Sequence, residues 1–201
     1  GGSASITRLI DTATNALSII GDDSTAGNDN VTTLTAVTAN NEETISLVSG
    51  SNAGEDLTIT TLTATDLKTL NASGSADVII TNAIAGATDL ATVEGSGVSG
   101  ALTVNASNSS VAVTMTAGSG GSTLTSGAGA DTITGGSGAD VIVSGEGADT
   151  VNAGAGVDTI TGGAGVDTIT MGDGGGTVTG GTGADVITCH DSSDTLVFAA
   201  T

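Results

Sequence analysis

The sequence predicts an all-β fold, a solenoid of short stacked strands that is regular from residue 117 onward and less regular before it. A nine-residue pattern repeats without interruption over residues 117–197. The 201-residue chain contains 33 Gly and no Pro, and its apolar residues are mostly Val, Ile, Leu and Ala. Small β-branched residues suit thin stacked strands, and tandem repeats stack into elongated rods. We therefore divide the chain into residues 1–116 and residues 117–201.

The balance of charge argues against several classes of partner. The chain carries 22 Asp and Glu against two Lys and Arg, and its formal net charge is −20. Nucleic acids and anionic membrane surfaces both require a basic protein surface, so neither is an expected partner. The absence of an apolar run of about 18 residues predicts no membrane insertion. A compact chain this acidic repels itself, and bound cations would relieve the repulsion.

The nine copies of the repeat are in phase from Ala117 to Val197. They read AGSGGSTLT, SGAGADTIT, GGSGADVIV, SGEGADTVN, AGAGVDTIT, GGAGVDTIT, MGDGGGTVT, GGTGADVIT and CHDSSDTLV. Position eight is aliphatic in every copy. Position six is Ser122 or Gly176 in two copies and aspartate in the other seven, namely Asp131, Asp140, Asp149, Asp158, Asp167, Asp185 and Asp194.

Each copy predicts one turn followed by one short strand. A segment such as residues 132–134 is long enough for a minimal strand whose middle side chain, Ile133, points inward. The six residues before it form a turn, in which glycines permit positive φ and close backbone approach. Two copies make a coil of about 18 residues, and stacked coils place each aliphatic residue over its equivalent. Alternate turns therefore lie on the same side.

The predicted turns have the oxygen atoms that calcium prefers. This hard cation takes six to eight oxygen ligands from carboxylates and carbonyls. A glycine-rich turn exposes its carbonyls and the aspartate adds a carboxylate, so an ion between two stacked turns would receive oxygens from both. The predicted metal-site residues are the seven position-six aspartates and the turn glycines Gly127, Gly129, Gly136, Gly138, Gly145, Gly147, Gly154, Gly156, Gly163, Gly165, Gly181 and Gly183.

The two sides of the solenoid differ in their predicted metal occupancy. One side has aspartate in every turn over residues 131–185, which makes three complete pairs. On the other side Ser122 and Gly176 interrupt the series, so that Asp140 and Asp158 form the one complete pair. Each of the remaining gaps has a single carboxylate. We therefore expect about four strong Ca²⁺ sites and up to about three weaker ones.

This pattern resembles the RTX (repeats in toxin) family of secreted bacterial proteins. The family consensus is Gly-Gly-x-Gly-x-Asp followed by x, an aliphatic residue and x, and residues 135–143 match it fully. The resemblance implies a parallel β-roll, calcium-induced folding and export by a type I secretion system. The last copy, residues 189–197, has lost its glycines, and we interpret it as a cap. Type I substrates usually carry an export signal after the repeats, whereas residues 198–201 follow here. Either the chain is truncated or export takes another route.

Residues 1–116 are predicted to form a wider, less regular parallel β-solenoid that runs into the roll. Residues 66–71 align with residues 89–94 at a spacing of 23, and downstream residues 78–80 align with residues 101–103. These segments alternate Thr with aliphatic residues, which is typical of half-buried strands. Further strand-like runs are residues 44–48, 57–62 and 111–116.

Two N-terminal segments are less distinctive. Residues 5–17 fit either a short helix or an entry strand. Residues 21–31 contain one degenerate copy of the turn, with Asn28-Asp29 at its end and Asp29 at the aspartate position. A lone copy cannot pair across coils, so a solvated loop is favoured there over a metal site.

The local sequence pattern of residues 40–116 resembles that of bacterial S-layer and similar surface-array proteins that carry RTX repeats. Two short sequences are typical of that group, ETISL at residues 43–47 and LKTLNAS at residues 67–73. The resemblance implies an extracellular, calcium-binding structural protein of the cell surface that assembles into an array or filament. Two other functions share these features, the folding and export module of a secreted exoenzyme or toxin and the stalk of an RTX adhesin.

No catalytic role is predicted. His190 is the single histidine and lies beside Cys189, but adjacent residues of an extended chain point to opposite faces, and no third orienting group is evident. We therefore interpret the two residues as an exposed pair at the cap. No zinc-ligand spacing, nucleophile elbow, phosphate loop or zinc-protease motif occurs.

Overall fold

The computed structural model describes residues 4–7, 16–21, 32–51, 54–190 and 193–198 and consists of strands and turns. Residues 22–31, which include the Asn28-Asp29 turn, lie outside the described residues. The strands are β1 (Ala4–Thr7), β2 (Ala16–Gly21), β3 (Thr32–Thr38), β4 (Thr44–Ser49), β5 (Leu57–Thr63), β6 (Thr69–Gly74), β7 (Val78–Ile80), β8 (Thr92–Val98), β9 (Leu102–Asn105), β10 (Thr114–Thr116), β11 (Thr123–Thr125), β12 (Thr132–Gly136), β13 (Val141–Glu146), β14 (Thr150–Gly154), β15 (Asp158–Ala164), β16 (Thr168–Thr170), β17 (Gly176–Thr182), β18 (Val186–Thr188) and β19 (Asp194–Val197).

The chain alternates between two sheets. The odd-numbered strands form a ten-stranded sheet from β1 to β19, and the even-numbered strands form a nine-stranded sheet from β2 to β18. Each inner strand pairs in parallel with the strand one coil before and one coil after it, and the outermost strands pair on one side only. This arrangement is a parallel β-solenoid and confirms the predicted fold class. Among the described residues, no helix is long and apolar enough to cross a membrane.

The coils shorten along the chain, as the sequence predicts. The paired residues Ala16 and Thr44 are 28 positions apart, and Thr44 and Thr69 are 25 apart. The spacing reaches 18 between Thr114 and Thr132 and stays there. Both sheets run through residue 116 without a break. The division at that residue remains a prediction, and what changes there is the length of the coil.

One apolar core runs between the two sheets. It forms because side chains alternate along a strand. In β12, Thr132 is exposed, Ile133 is buried and Thr134 is half-buried. The position-eight residues from Leu124 to Val178 are at most 1% exposed, and burial of each such side chain contributes roughly 1.5–3 kcal/mol.

The predicted alignment at a spacing of 23 is correct for β6 and β8 but wrong downstream. Val78 pairs with Leu102, which is 24 positions away. The extra residue lies in β8 between Glu94 and Gly97, where the pairing of β8 with β6 shifts register. A bulge of this kind adds one residue to a single strand.

The strand-like runs are confirmed in part. Residues 44–48 and 57–62 are strands β4 and β5. The third run is shorter than predicted, because β10 begins at Thr114 and Val111 lies in the turn before it, 37% exposed. The described parts of residues 5–17 are strand, at the end of β1 and the start of β2, so the helix interpretation is wrong there.

The last copy of the repeat, interpreted above as a cap, does not bury its own apolar residues. Strand β19 pairs with β17, yet its Leu196 is 38% exposed and the neighbouring Phe198 is 83% exposed. Ile187 of β18 is only partly buried. Within the described residues, no later coil lies over these side chains.

Candidate metal centre

The turns of the repeat stack along two edges of the roll. Because paired residues such as Thr132 and Thr150 are 18 positions apart, every second turn lies over the same edge. The first edge leads into the nine-stranded sheet and contains turns 126–131, 144–149, 162–167 and 180–185. The second edge leads into the ten-stranded sheet and contains turns 117–122, 135–140, 153–158, 171–176 and 189–194.

Glycine permits the close contact between adjacent turns. Gly147 has φ 127°, and a Cβ atom there would lie 1.9 Å from the carbonyl oxygen of Gly129. Its N–H donates to the carbonyl of Ala164 in the next coil, at 2.7 Å. The turn glycines are ligands predicted from the sequence, and the structure places them where the backbones of neighbouring turns meet. Nine of the twelve have positive φ, the exceptions being Gly127, Gly129 and Gly138.

The position-six aspartates stack along each edge, and we call each stack a ladder. One carboxylate oxygen of a ladder aspartate joins neighbouring coils. Oδ1 of Asp149 accepts a hydrogen bond from the N–H of Asp131, one coil earlier, at 2.8 Å. Asp131 in turn accepts from Val113 at 2.7 Å. Each of these bonds gives an acceptor to a buried backbone N–H that is not hydrogen-bonded within a sheet. The same bond, with the donor 18 residues earlier, recurs at Asp140, Asp158, Asp167 and Asp185.

The other carboxylate oxygen is buried without a protein partner. The five residues concerned are at most 1% exposed, and their Oδ2 atoms have no hydrogen-bond partner among the described residues; they are Asp131, Asp140, Asp149, Asp158 and Asp167. Burial of an ionised carboxylate costs several kcal/mol unless it is paired. Five such oxygens in five consecutive turns therefore fit a bound cation.

Two of these unpartnered, or orphan, oxygens lie near a carbonyl from the next coil. A Cβ atom on Gly135 would lie 2.5 Å from both Asp140 Oδ2 and the carbonyl oxygen of Ala153. At Gly162 the corresponding atoms are Asp167 Oδ2 at 2.6 Å and the Gly180 carbonyl oxygen at 2.3 Å. Carboxylate and carbonyl oxygens together are the ligand set of Ca²⁺.

The described residues contain no group of three or more His, Cys, Asp or Glu side chains placed to hold a metal ion. An ion in the turns would need backbone carbonyl or water oxygens in addition to aspartate carboxylates. Beside Gly135 and Gly162, an aspartate Oδ2 and a carbonyl oxygen of the next coil lie close together. The turns therefore fit calcium.

The electrostatics of the ladders oppose the metal-free state. Burial raises the pKa of both Asp140 and Asp149 to about 6, and the charges of neighbouring aspartates add to the shift. Burial also raises the pKa of Asp158 and Asp167. Within the described residues, the only lysine or arginine is Lys68, which pairs with Glu43 outside the roll. The ladders thus have no protein cation beside them.

The two C-terminal aspartates are less enclosed than the others. Asp185 is half-buried and accepts from the N–H of Asp167 through Oδ1. Asp194 accepts through Oδ2 from the N–H of His190 in its own turn, at 3.0 Å, and its Oδ1 is buried without a partner. The structure therefore places all seven predicted aspartates on the two edges and encloses five of them fully.

Two buried serines at position one of the turn were not singled out by the sequence analysis. Ser126 and Ser144, both on the first edge, donate through Oγ to position-one carbonyls one coil later, at 2.6 and 2.7 Å. The Ser144 hydroxyl also lowers the pKa of Asp149, against the larger effect of burial. Serine at position one of consecutive first-edge turns is the signal that would have found them.

A parallel β-solenoid with buried carboxylates in stacked glycine-rich turns is a cation-binding β-roll. Comparison with known families agrees with this class. The RTX calcium-binding nonapeptide repeat matches four stretches, residues 116–151, 134–169, 143–178 and 172–200. Residues 116–200 are therefore RTX calcium-binding repeats, of a kind typical of secreted bacterial proteins. No curated protein and no solved structure matches the chain significantly.

Proposed function

We propose that the chain is a non-catalytic, calcium-binding structural protein of the bacterial cell surface, whose roll folds and stiffens when calcium binds between its turns. The observation that carries the proposal is the series of five buried aspartates with unpartnered Oδ2 oxygens. We propose about four strong sites and up to about three weaker ones. Export by a type I system would deliver the chain to a calcium-rich environment.

The mechanism couples folding to binding. In a calcium-poor cytosol the ladder aspartates repel one another and the glycine-rich turns resist ordering, so the roll stays unfolded. Bound calcium supplies positive charge and coordination to the orphan oxygens. The carboxylate of one coil and the carbonyls of the next then bind the same calcium ion, which holds adjacent coils together. A repulsive segment thereby becomes a stiff rod.

Self-association into an S-layer-like array or filament is the further part of the proposal. The outer strands of the described sheets, β18 and β19, have one unpaired edge each. Unpaired strand edges favour pairing with another chain. Val186, Leu196 and Phe198, at or beside these strands, are exposed apolar residues that add to this tendency.

A second candidate is a stalk, as in an adhesin, or the folding module of an exoenzyme or toxin. It is favoured by the continuity of both sheets through residue 116, which makes the described coils one uninterrupted solenoid. A stalk or module would remain a monomer in calcium. The two candidates therefore differ in assembly and not in metal binding.

Far-UV circular dichroism during a calcium titration tests the proposal. The chain has no Trp or Tyr, so the β signal is the suitable readout. Calcium should increase that signal, whereas magnesium at equal concentration should have little effect because it demands smaller, octahedral sites. A β signal that is identical in chelator and in calcium would refute calcium-coupled folding. Sedimentation and electron microscopy of the same sample should then show sheets or filaments for the array and a monodisperse particle for the stalk.

A further inference from the structure

We infer that Met171 and Gly176 together form an apolar plug on the second edge. In this turn the plug takes the place of the carboxylate, and the contact between neighbouring turns closes without metal. The inference rests on the proposed calcium function and assigns a role to residues that interrupt the repeat.

Positions one and six of a turn face each other across its interior. A Cβ atom on Gly162, at position one, would lie 2.6 Å from Oδ2 of Asp167, at position six. The corresponding distances are 2.5 Å from Gly135 to Asp140 and 2.4 Å from Gly180 to Asp185. The position-six carboxylate therefore reaches toward position one, and the space between the two positions receives its orphan oxygen.

In turn 171–176 this space is filled from the opposite side. Met171 stands at position one and is 1% exposed. Its terminal Cε atom lies 2.9 Å from the point where a Cβ atom of Gly176 would begin. The thioether side chain thus reaches toward position six, where the other turns have a carboxylate. Methionine suits the role because its flexible, unbranched chain fills irregular gaps.

The pairing of the two replacements is specific to this turn. Position one is Ala, Ser or Gly in every copy except the seventh and the ninth, which have Met171 and Cys189. The other interrupted turn has Ser122 at position six but keeps the small Ala117 at position one. Loss of the aspartate alone therefore does not bring a large side chain, and only the turn at 171–176 is plugged.

The hydrogen bonding changes in the same place. The N–H of Asp140 donates to Asp158 Oδ1 one coil later, at 2.9 Å. The N–H of Asp158 finds no carboxylate at Gly176 and donates to the carbonyl of Gly175, at 3.3 Å. The backbone of this turn thus provides the acceptor, and the methionine fills the remaining volume with no charge to neutralise.

The test restores the aspartate and removes the plug. The double variant Met171→Ala, Gly176→Asp has the Ala that the same column has at Ala117 and Ala153. Native mass spectrometry and calorimetry should find at least one more calcium ion bound than in the parent chain. Its thermal midpoint in chelator should fall below that of the parent, because a carboxylate replaces apolar packing. Gly176→Asp alone should bind no additional ion. Its new Cβ meets the Asp158 carbonyl oxygen, 2.4 Å away, in both variants, so the difference between the two variants reports the methionine.

The converse variant keeps the test decisive if the first does not fold. Gly162→Met, Asp167→Gly transfers the plug to the first edge, and in chelator this chain should have a higher thermal midpoint than Asp167→Gly alone, because the methionine fills the space that the carboxylate leaves. An unchanged ion number in a folded double variant, or equal midpoints for the converse variant and Asp167→Gly alone, would overturn the plug while leaving the calcium function intact. A parent chain that binds no calcium would overturn both proposals.

Discussion

Replacing Asp149 by Asn should stabilise the roll in chelator and destabilise it in calcium. The amide keeps an acceptor for the N–H of Asp131 and removes the charge on the buried Oδ2. Burial raises the pKa of this carboxyl from 3.8 to about 6, so the folded state binds protons more tightly than the unfolded state. Stability is therefore lost as the pH rises through this range. One pKa unit corresponds to about 1.4 kcal/mol, so the charge costs at most about 3 kcal/mol at neutral pH. Screening by solvent reduces this to about 1–2 kcal/mol.

In calcium the sign of the effect reverses. A site filled at a hundred times its dissociation constant contributes about 2.7 kcal/mol to stability. Asp149 lies between turns 126–131 and 162–167, so loss of its carboxylate weakens the contacts with both. The variant should therefore lose about 2 kcal/mol or more relative to the parent.

Urea unfolding followed by far-UV circular dichroism, in chelator and in calcium, measures both effects. Asp89→Asn is the matched control, because it removes the same charge from an exposed residue outside the roll. The control should change stability by less than about 0.5 kcal/mol in either condition. Destabilisation of Asp149→Asn in both conditions would show that Oδ2 has an unrecognised protein partner and would refute the reasoning.

Acidification, a turn glycine and two core positions provide three further tests. In chelator, a change from about pH 7 to about pH 5 should increase the β signal, because burial raises the pKa of Asp140 to about 6; in calcium it should release metal. Gly147→Ala should lower the thermal midpoint in calcium, since its Cβ would lie 1.9 Å from a carbonyl oxygen, whereas the exposed Ala148→Ser should not. Ile142→Ala, at a fully buried position, should cost about 2–5 kcal/mol in urea unfolding, and Leu196→Ala less than about 1 kcal/mol. A pH-independent β signal in chelator, an unchanged midpoint for the glycine variant, or equal costs at the two core positions would each contradict the structure.

The regular roll could be predicted from the sequence because nothing is inserted or deleted over residues 117–197. A constant period of nine residues fixes the register at 18, so Ile133 must lie under its equivalents and Asp131 under Asp149. Side-chain alternation then decides which residues face the core. The fold class and the position of the ladders follow from this regularity alone.

Other features depend on contacts that a repeat pattern does not contain. The register shift after Asn71 is a backbone bulge in a segment without a fixed period. The exposure of Leu196 reflects the absence of a covering coil within the described residues, although the residue matches the pattern. That Oδ1 of Asp149 accepts a hydrogen bond while its Oδ2 is unpartnered follows from side-chain geometry that the repeat pattern does not contain. The sequence marks Met171 as unusual, but only its direction toward Gly176 gives it a role.

The most direct test is an anomalous difference map from crystals grown in saturating calcium. Peaks should lie between stacked turns, beside Oδ2 of Asp131, Asp140, Asp149 and Asp167, with carbonyl oxygens of the next coil about 2.3–2.6 Å away. Ordered turns with no anomalous density at these oxygens would contradict the claim that a shared cation holds the coils together.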